Sequence, residues 1–249
     1  MIKKTIYFWA VVALLSSCSF GNYDDNKYLE TDAIAVLDGL SGSIGDLKAC
    51  SFTLQVNSEI ESDSAGVGVY KALSDIYMRG PDKLYIHTNS NRGDRGYWYD
   101  GSSLAWFNYD KNVFDTLPAP ESIILTINAV HENYGVDFPA ADFFYPTFTD
   151  DIINHFDSVF YLGAQKVDGE DISQVLAVND IMKVNFWIAN NGTHQYPVSF
   201  SILRNELGND LKYEGNFSNW RFNPALPDNL FEFSPPEDAT RKTIQPLKK

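Results

Sequence analysis

The 249-residue sequence predicts an α+β fold, mostly antiparallel β: a curved open half-barrel sheet covered by inserted helices. Three observations predict it. Apolar residues recur at period two over many short segments, so most of the sequence reads as strands with one dry and one wet face. Two segments break that pattern with a helical period, one ahead of the strands and one midway along them. A sheet of so many strands does not stay flat; it twists and curls, and its concave face needs a cover.

The sequence opens with Lys3 and Lys4, then an unbroken apolar run from Ile6 to Leu15. The run is shorter than the roughly 20 residues of a membrane helix and fits the apolar centre of a secretory signal. Leu15-Ser16-Ser17-Cys18 resembles the bacterial lipobox, which implies cleavage before Cys18 and acylation of its thiol. Each buried CH₂ contributes about 0.8 kcal/mol, so two or more acyl groups anchor stably. Residues 1–17 are thus expected to be a lipoprotein signal peptide, and 18–28 the lipidated Cys18 with a polar tether. Residues 29–240 form a single half-barrel domain, and 241–249 a loose tail.

Within the domain, Ala33, Leu37, Leu40, Ile44 and Leu47 recur at alternating steps of four and three, one apolar helical stripe. Gly39, Gly42 and Gly45 weaken that helix, so it depends on tertiary packing. From Cys50 the period becomes two: Phe52, Leu54 and Val56 alternate with Thr53, Gln55 and Asn57. Further strands are expected over 67–79, 83–89 and 96–99. Asp100-Gly101 is a hairpin turn leading to Leu104–Phe107, and Val113–Leu117 follows. Pro120 and Gly135 bracket a second helix, with Ile123, Ile127, Val130 and Tyr134 on its stripe. An aromatic loop, Phe138 to Pro146, leads to a short helix near Asp150–Phe156. Five more strands are read over 159–166, 172–178, 184–189, 197–203 and 211–220. Together these make one long antiparallel meander with helices in front and midway.

Composition narrows the function. The formal charge is −14, and losing Lys3 and Lys4 with the signal takes it to −16. Such acidity argues against nucleic acid as a partner and against electrostatic attachment to anionic lipid. With Cys18 lipidated, Cys50 is the remaining thiol, read as buried and inert because no basic group flanks it. His87, His131, His155 and His194 lack partners at metal-ligand spacing. Gly39-Leu40-Ser41-Gly42-Ser43 lies in a helix and is not a nucleophile elbow. Asp24-Asp25 and Asp150-Asp151 read as solvated turns or helix starts rather than paired catalytic carboxylates or calcium ligands. No cofactor and no enzyme are expected; a hydrolase would need a polar cluster converging in a cleft.

An ordered set of segments resembles one family. It includes Arg79-Gly80-Pro81-Asp82-Lys83-Leu84, Tyr97-Trp98-Tyr99-Asp100-Gly101, Pro139-Ala140-Ala141-Asp142-Phe143-Phe144-Tyr145 and Pro224-Ala225-Leu226-Pro227-Asp228. They are similar to a family of predicted periplasmic bacterial proteins, domain of unknown function 2092, grouped with the outer-membrane lipoprotein carriers. The resemblance implies a lipoprotein-carrier-like half-barrel closed by helices over an apolar cavity that holds acyl chains. Where the family often has a Cys-His pair, this sequence has Ile172-Ser173-Gln174, so no role for that pair carries over. Trp106, Ile124, Ile127, Phe143, Phe144, Phe186 and Phe200 are the candidates to line the cavity. The function expected is a non-catalytic envelope lipoprotein, lipid-anchored at Cys18 and facing the periplasm from the outer membrane. Its ligand would be a hydrophobic small molecule or acyl chain. The alternative is a structural lipoprotein with a fully packed core that docks a protein partner through its surface.

Overall fold

The structure, a computed structural model, describes residues 27–62, 66–206 and 209–247. The signal segment, Cys18 and the tether up to Asn26 lie outside the described residues. After the two-residue strand β1 (Tyr28–Leu29) comes α1 (Thr31–Gly45), whose buried residues Ala33, Leu37, Leu40 and Ile44 are the expected stripe. Leu47 falls beyond its end. Six strands follow: β2 (Ala49–Ser62), β3 (Gly66–Arg79), β4 (Lys83–Ser90), β5 (Gly93–Tyr99), β6 (Ser103–Asn108) and β7 (Val113–Pro118). The midway insert holds α2 (Ile123–Tyr134), a 3-10 turn (Ala141–Phe144) and α3 (Phe148–His155). Five long strands complete the sheet: β8 (Ser158–Val167), β9 (Glu170–Val178), β10 (Met182–Asn190), β11 (Gln195–Glu206) and β12 (Asn209–Phe222). A second 3-10 turn (Asp228–Phe231) and the short strand β13 (Thr240–Arg241) end the fold.

All thirteen strands among the described residues form one open, curled sheet with β1 and β13 at its edges. The order corrects the single meander expected from sequence. There are two meanders, β2 to β7 and β8 to β12, and they join where β12 pairs antiparallel with β2. The first and last long strands are therefore neighbours in mid-sheet, and the insert between β7 and β8 bridges the two open edges. Both edge strands pair in parallel, β1 with β8 and β13 with β7.

Side-chain parity divides the sheet into two faces. The concave face of β2 and β3 carries Phe52, Leu54, Val56, Ala72 and Ile76, all buried in the core. The helix α1 lies across the β8–β11 end. Its Gly39 meets the Gln195 side chain so closely that an added Cβ would stand 2.1 Å from Oε1. Ser43 Oγ accepts the Gln195 N–H at 2.9 Å, one turn farther on. Close approach explains this glycine; Gly42 and Gly45 face open space.

The turns follow the sequence chemistry. Asp100 Oδ1 accepts the N–H groups of Ser102 and Ser103 at 2.9 and 2.8 Å, while Gly101 takes φ 94°. Asp168 and Gly169 both have positive φ, the backbone a tight two-residue hairpin demands. Among the described residues no helix is long and apolar enough to cross a membrane.

The C-terminal segment corrects the expectation of a tail loose from Arg241, because its described part is tied down. Lys242 N–H reaches Phe114 O at 2.8 Å, Ile244 N–H reaches Asp115 Oδ2 at 2.9 Å and Leu247 N–H reaches Asn133 O at 2.7 Å. Cys50 is 3% exposed, and burial pushes its thiol up to about 12. Since the thiolate is the reactive form, Cys50 in the protein from Ser19 onward is expected to resist Ellman's reagent until the protein unfolds. Stoichiometric labelling without denaturant would contradict this burial.

Candidate functional site

The insert begins with a well-capped helix. Ser122 Oγ accepts the Leu125 N–H at 3.3 Å, and Gly135 ends α2 in the left-handed region at φ 64°. In the last turn of α2, His131 Nδ1 lies 2.7 Å from Oδ1 of Asp137, which follows just past the cap. Burial raises the Asp137 carboxyl, and the bond to His131 only partly offsets that. The backbone then turns through Ala140, at φ 63°, into the 3-10 turn that drives Phe143 into the concave face.

Phe143 is the hub of an aromatic cluster. Its ring centroid lies 5.1 Å from Phe148, 5.4 Å from Phe200, 5.6 Å from Phe217 and 5.9 Å from Phe186. The last three contacts are edge-to-face, the arrangement ring quadrupoles favour. Beside this cluster is a pocket of about 50 Å³. Met182, Val184 and Phe186 of β10 and Phe200 and Ile202 of β11 form one wall; Phe143, Phe148, Ile152 and Phe156 form the other. All of these side chains are buried. The lining residues that retain exposure are polar, Asp142, Asp151 and His155, and they mark the rim.

Asp142 is the unusual member. The residue as a whole is half-buried, yet its Oδ1 is shut off from solvent and has no hydrogen-bond partner. Burial lifts its carboxyl to about 7, and the negative charges of Asp151 and Asp137 push the same way. The rim is otherwise internally satisfied. Asp151 Oδ2 accepts from Thr147 Oγ1 at 2.6 Å, and His155 Nδ1 is 2.7 Å from Asp151 O. No group of three or more metal-ligating side chains is placed to hold an ion among the described residues.

Of the seven candidate lining residues, the structure brings Phe143, Phe186 and Phe200 into this pocket. Phe144 instead stacks on Phe52 at 5.6 Å and 9°, while Ile124 and Ile127 of α2 pack into the wider core. Trp106 pairs with Tyr97 on β5 and Asp115 on β7, in the other meander. These four do not line it. Val184 and Ile202 were legible, since they share strand parity with Phe186 and Phe200. Phe148, Ile152 and His155 follow at helical spacing on α3. Asp142 carried no such signal.

An open half-barrel with an aromatic-walled pocket under a helical insert defines the class: a lidded, curled-sheet protein with an apolar concave face. The chain belongs to the predicted periplasmic protein family DUF2092, whose model matches residues 33–245. A search of curated protein sequences finds no match. Among solved structures, LprF from Mycobacterium bovis is 10% identical over 84% of this chain and 98% of that one, at a TM-score of 0.43. The LolA superfamily protein NE2245 from Nitrosomonas europaea is 13% identical over 81% of this chain and 97% of that one, at 0.34. MucB in complex with MucA(peri) is 11% identical over 86% of this chain and 63% of that one, at 0.43.

Proposed function

We propose that this protein is a non-catalytic envelope lipoprotein, anchored through acylated Cys18 at the periplasmic face of the outer membrane, that binds a hydrophobic ligand beneath its insert. One observation carries the reading: every buried side chain lining the pocket is apolar or aromatic, and its lid is a separate insertion rather than part of the sheet. The free volume of about 50 Å³ is well below the roughly 300–1,000 Å³ of drug-sized ligand sites. It takes the end of a narrow ligand, an acyl tail for example. Deeper entry requires Phe143 and Phe148 to swing aside. The same small volume favours a second reading, a packed interaction lipoprotein that docks a protein partner on its surface.

Native mass spectrometry separates the two. The protein from Ser19 onward, which contains every described strand and helix, is purified from cells without detergent. Added mass that matches a lipid and disappears on denaturation is the expected result. A clean apo mass that also fails to take up offered lipids, long-chain alcohols and amines included, would leave the docking reading standing.

A further inference from the structure

Resting on that reading, we propose that the ligand carries a cationic or strongly donating head, an alkylammonium group, which Asp142 receives at the rim while the tail enters the aromatic pocket. A buried polar atom without a partner is costly, because it has left its water and gained nothing. Native proteins leave few such atoms, and Asp142 Oδ1 is one of them. It belongs to a residue that lines an apolar pocket, and the missing partner is a hydrogen-bond donor. The surroundings say which kind. Asp151 lines the same pocket, and Asp137 adds negative charge. No Lys or Arg is among the lining residues. Lys27 Nζ is held on Ile153 O and Asn154 O at 2.7 and 2.8 Å and does not line the pocket, so the rim's carboxylates favour cations over anionic headgroups, fatty-acid carboxylates included. A charge-assisted hydrogen bond to an ammonium would satisfy Oδ1 and neutralise part of that field.

The pocket has a built-in reporter. The sequence has three methionines, Met1, Met78 and Met182; Met182 lines the pocket, and Met78 lies on β3 at the sheet centre. In the protein from Ser19 onward, with ¹³C-labelled methionine methyls, NMR titrations with hexylammonium, hexanol and hexanoate read both residues at once. Hexylammonium is expected to move the Met182 resonance and leave Met78 in place. At about pH 8 it should bind roughly tenfold tighter than hexanol, the gain expected from one hydrogen bond to a charged group, and hexanoate should bind weakest.

The preference should shrink on moving to about pH 5.5, as Asp142 takes up a proton. The groups facing it are Asp151 and His155 of α3, Asp137, Tyr145 and, from β12, Tyr213. Asp142→Asn should abolish the preference while hexanol still moves Met182, which also shows that the variant is folded. Equal affinity for all three probes, or tightest binding of hexanoate, overturns the role of Asp142 and leaves the hydrophobic pocket intact. Failure of every probe to move Met182 overturns the pocket reading as well.

Discussion

Asp142→Asn is expected to stabilise the protein at about pH 8 and to leave it nearly unchanged at about pH 4. The sign follows from where the proton sits. The carboxyl has an ordinary value of 3.8 and is raised to about 7 in the folded protein, with burial the main cause. Between those two values the native state holds a proton that the unfolded state has released, so stability falls as pH rises. Above about 7 the folded protein must keep a poorly solvated carboxylate. A tenfold change in proton affinity is worth about 1.4 kcal/mol. The rise from 3.8 to about 7 therefore amounts to about 4 kcal/mol. Asparagine has similar shape and does not titrate, so the variant loses this slope. Urea unfolding of both proteins at several pH values reads the difference directly. Curves that stay parallel from about pH 4 to about pH 8 would show that Asp142 is solvated, and the unsatisfied oxygen would lose its significance.

That carboxylate also marks the limit of what the sequence reveals. Elements with strong periodicity were legible: the Ala33–Ile44 stripe became α1, and the alternation around Phe52 became β2. Local chemistry placed the Asp100-Gly101 turn and the end of the second helix at Gly135 for the same reason, since each depends on neighbouring residues, while the helix start lies at Ser122, two residues beyond the expected Pro120. The pairing of β12 with β2 depends on none, because their paired residues Phe217 and Leu54 lie far apart in sequence. Two-residue strands such as β1 and β13 are too short to show any period. In the site, parity identifies which residues face inward but not which part of a wide concave face the insert covers. Phe186 and Phe200 therefore line the pocket, while Trp106 lands in the other meander. Asp142 sits among Ala140, Ala141, Phe143 and Phe144. An Asp in a loop reads as solvated, and only the 3-10 turn that carries Phe143 inward brings its carboxyl along.

The second large effect is expected on the outer face. Beyond β12 the backbone runs over the convex side of the sheet and ends against α2, and Phe231 is its deepest anchor at 1% exposure. Arg79 clamps this crossing. Its guanidinium lies 5.3 Å from the Phe231 ring centroid, donates to Leu226 O at 2.7 Å and pairs with Asp228. Two residues on, Phe233 meets Trp98, Phe107 and Phe114 of β5, β6 and β7. The segment then pairs with β7 and closes on Asp115, whose side chain is 2% exposed. Burial alone would raise Asp115, but hydrogen bonds from Ile244 N–H and Arg241 outweigh it and hold the carboxyl below its ordinary value. A strap fixed at both ends cannot collapse into the space a lost ring leaves. Phe231→Ala is thus expected to cost about 3–5 kcal/mol, the range for emptying a buried aromatic site. Arg79→Ala should cost less, because a half-exposed cation contributes mainly its contact with that ring. Chemical denaturation measures both, and limited proteolysis should cut the Phe231→Ala variant in the strap beyond Phe222 before the sheet itself. A loss below about 1 kcal/mol, with the C-terminal segment still protected, would mean that Phe233 and the Asp115 closure hold the strap without Phe231.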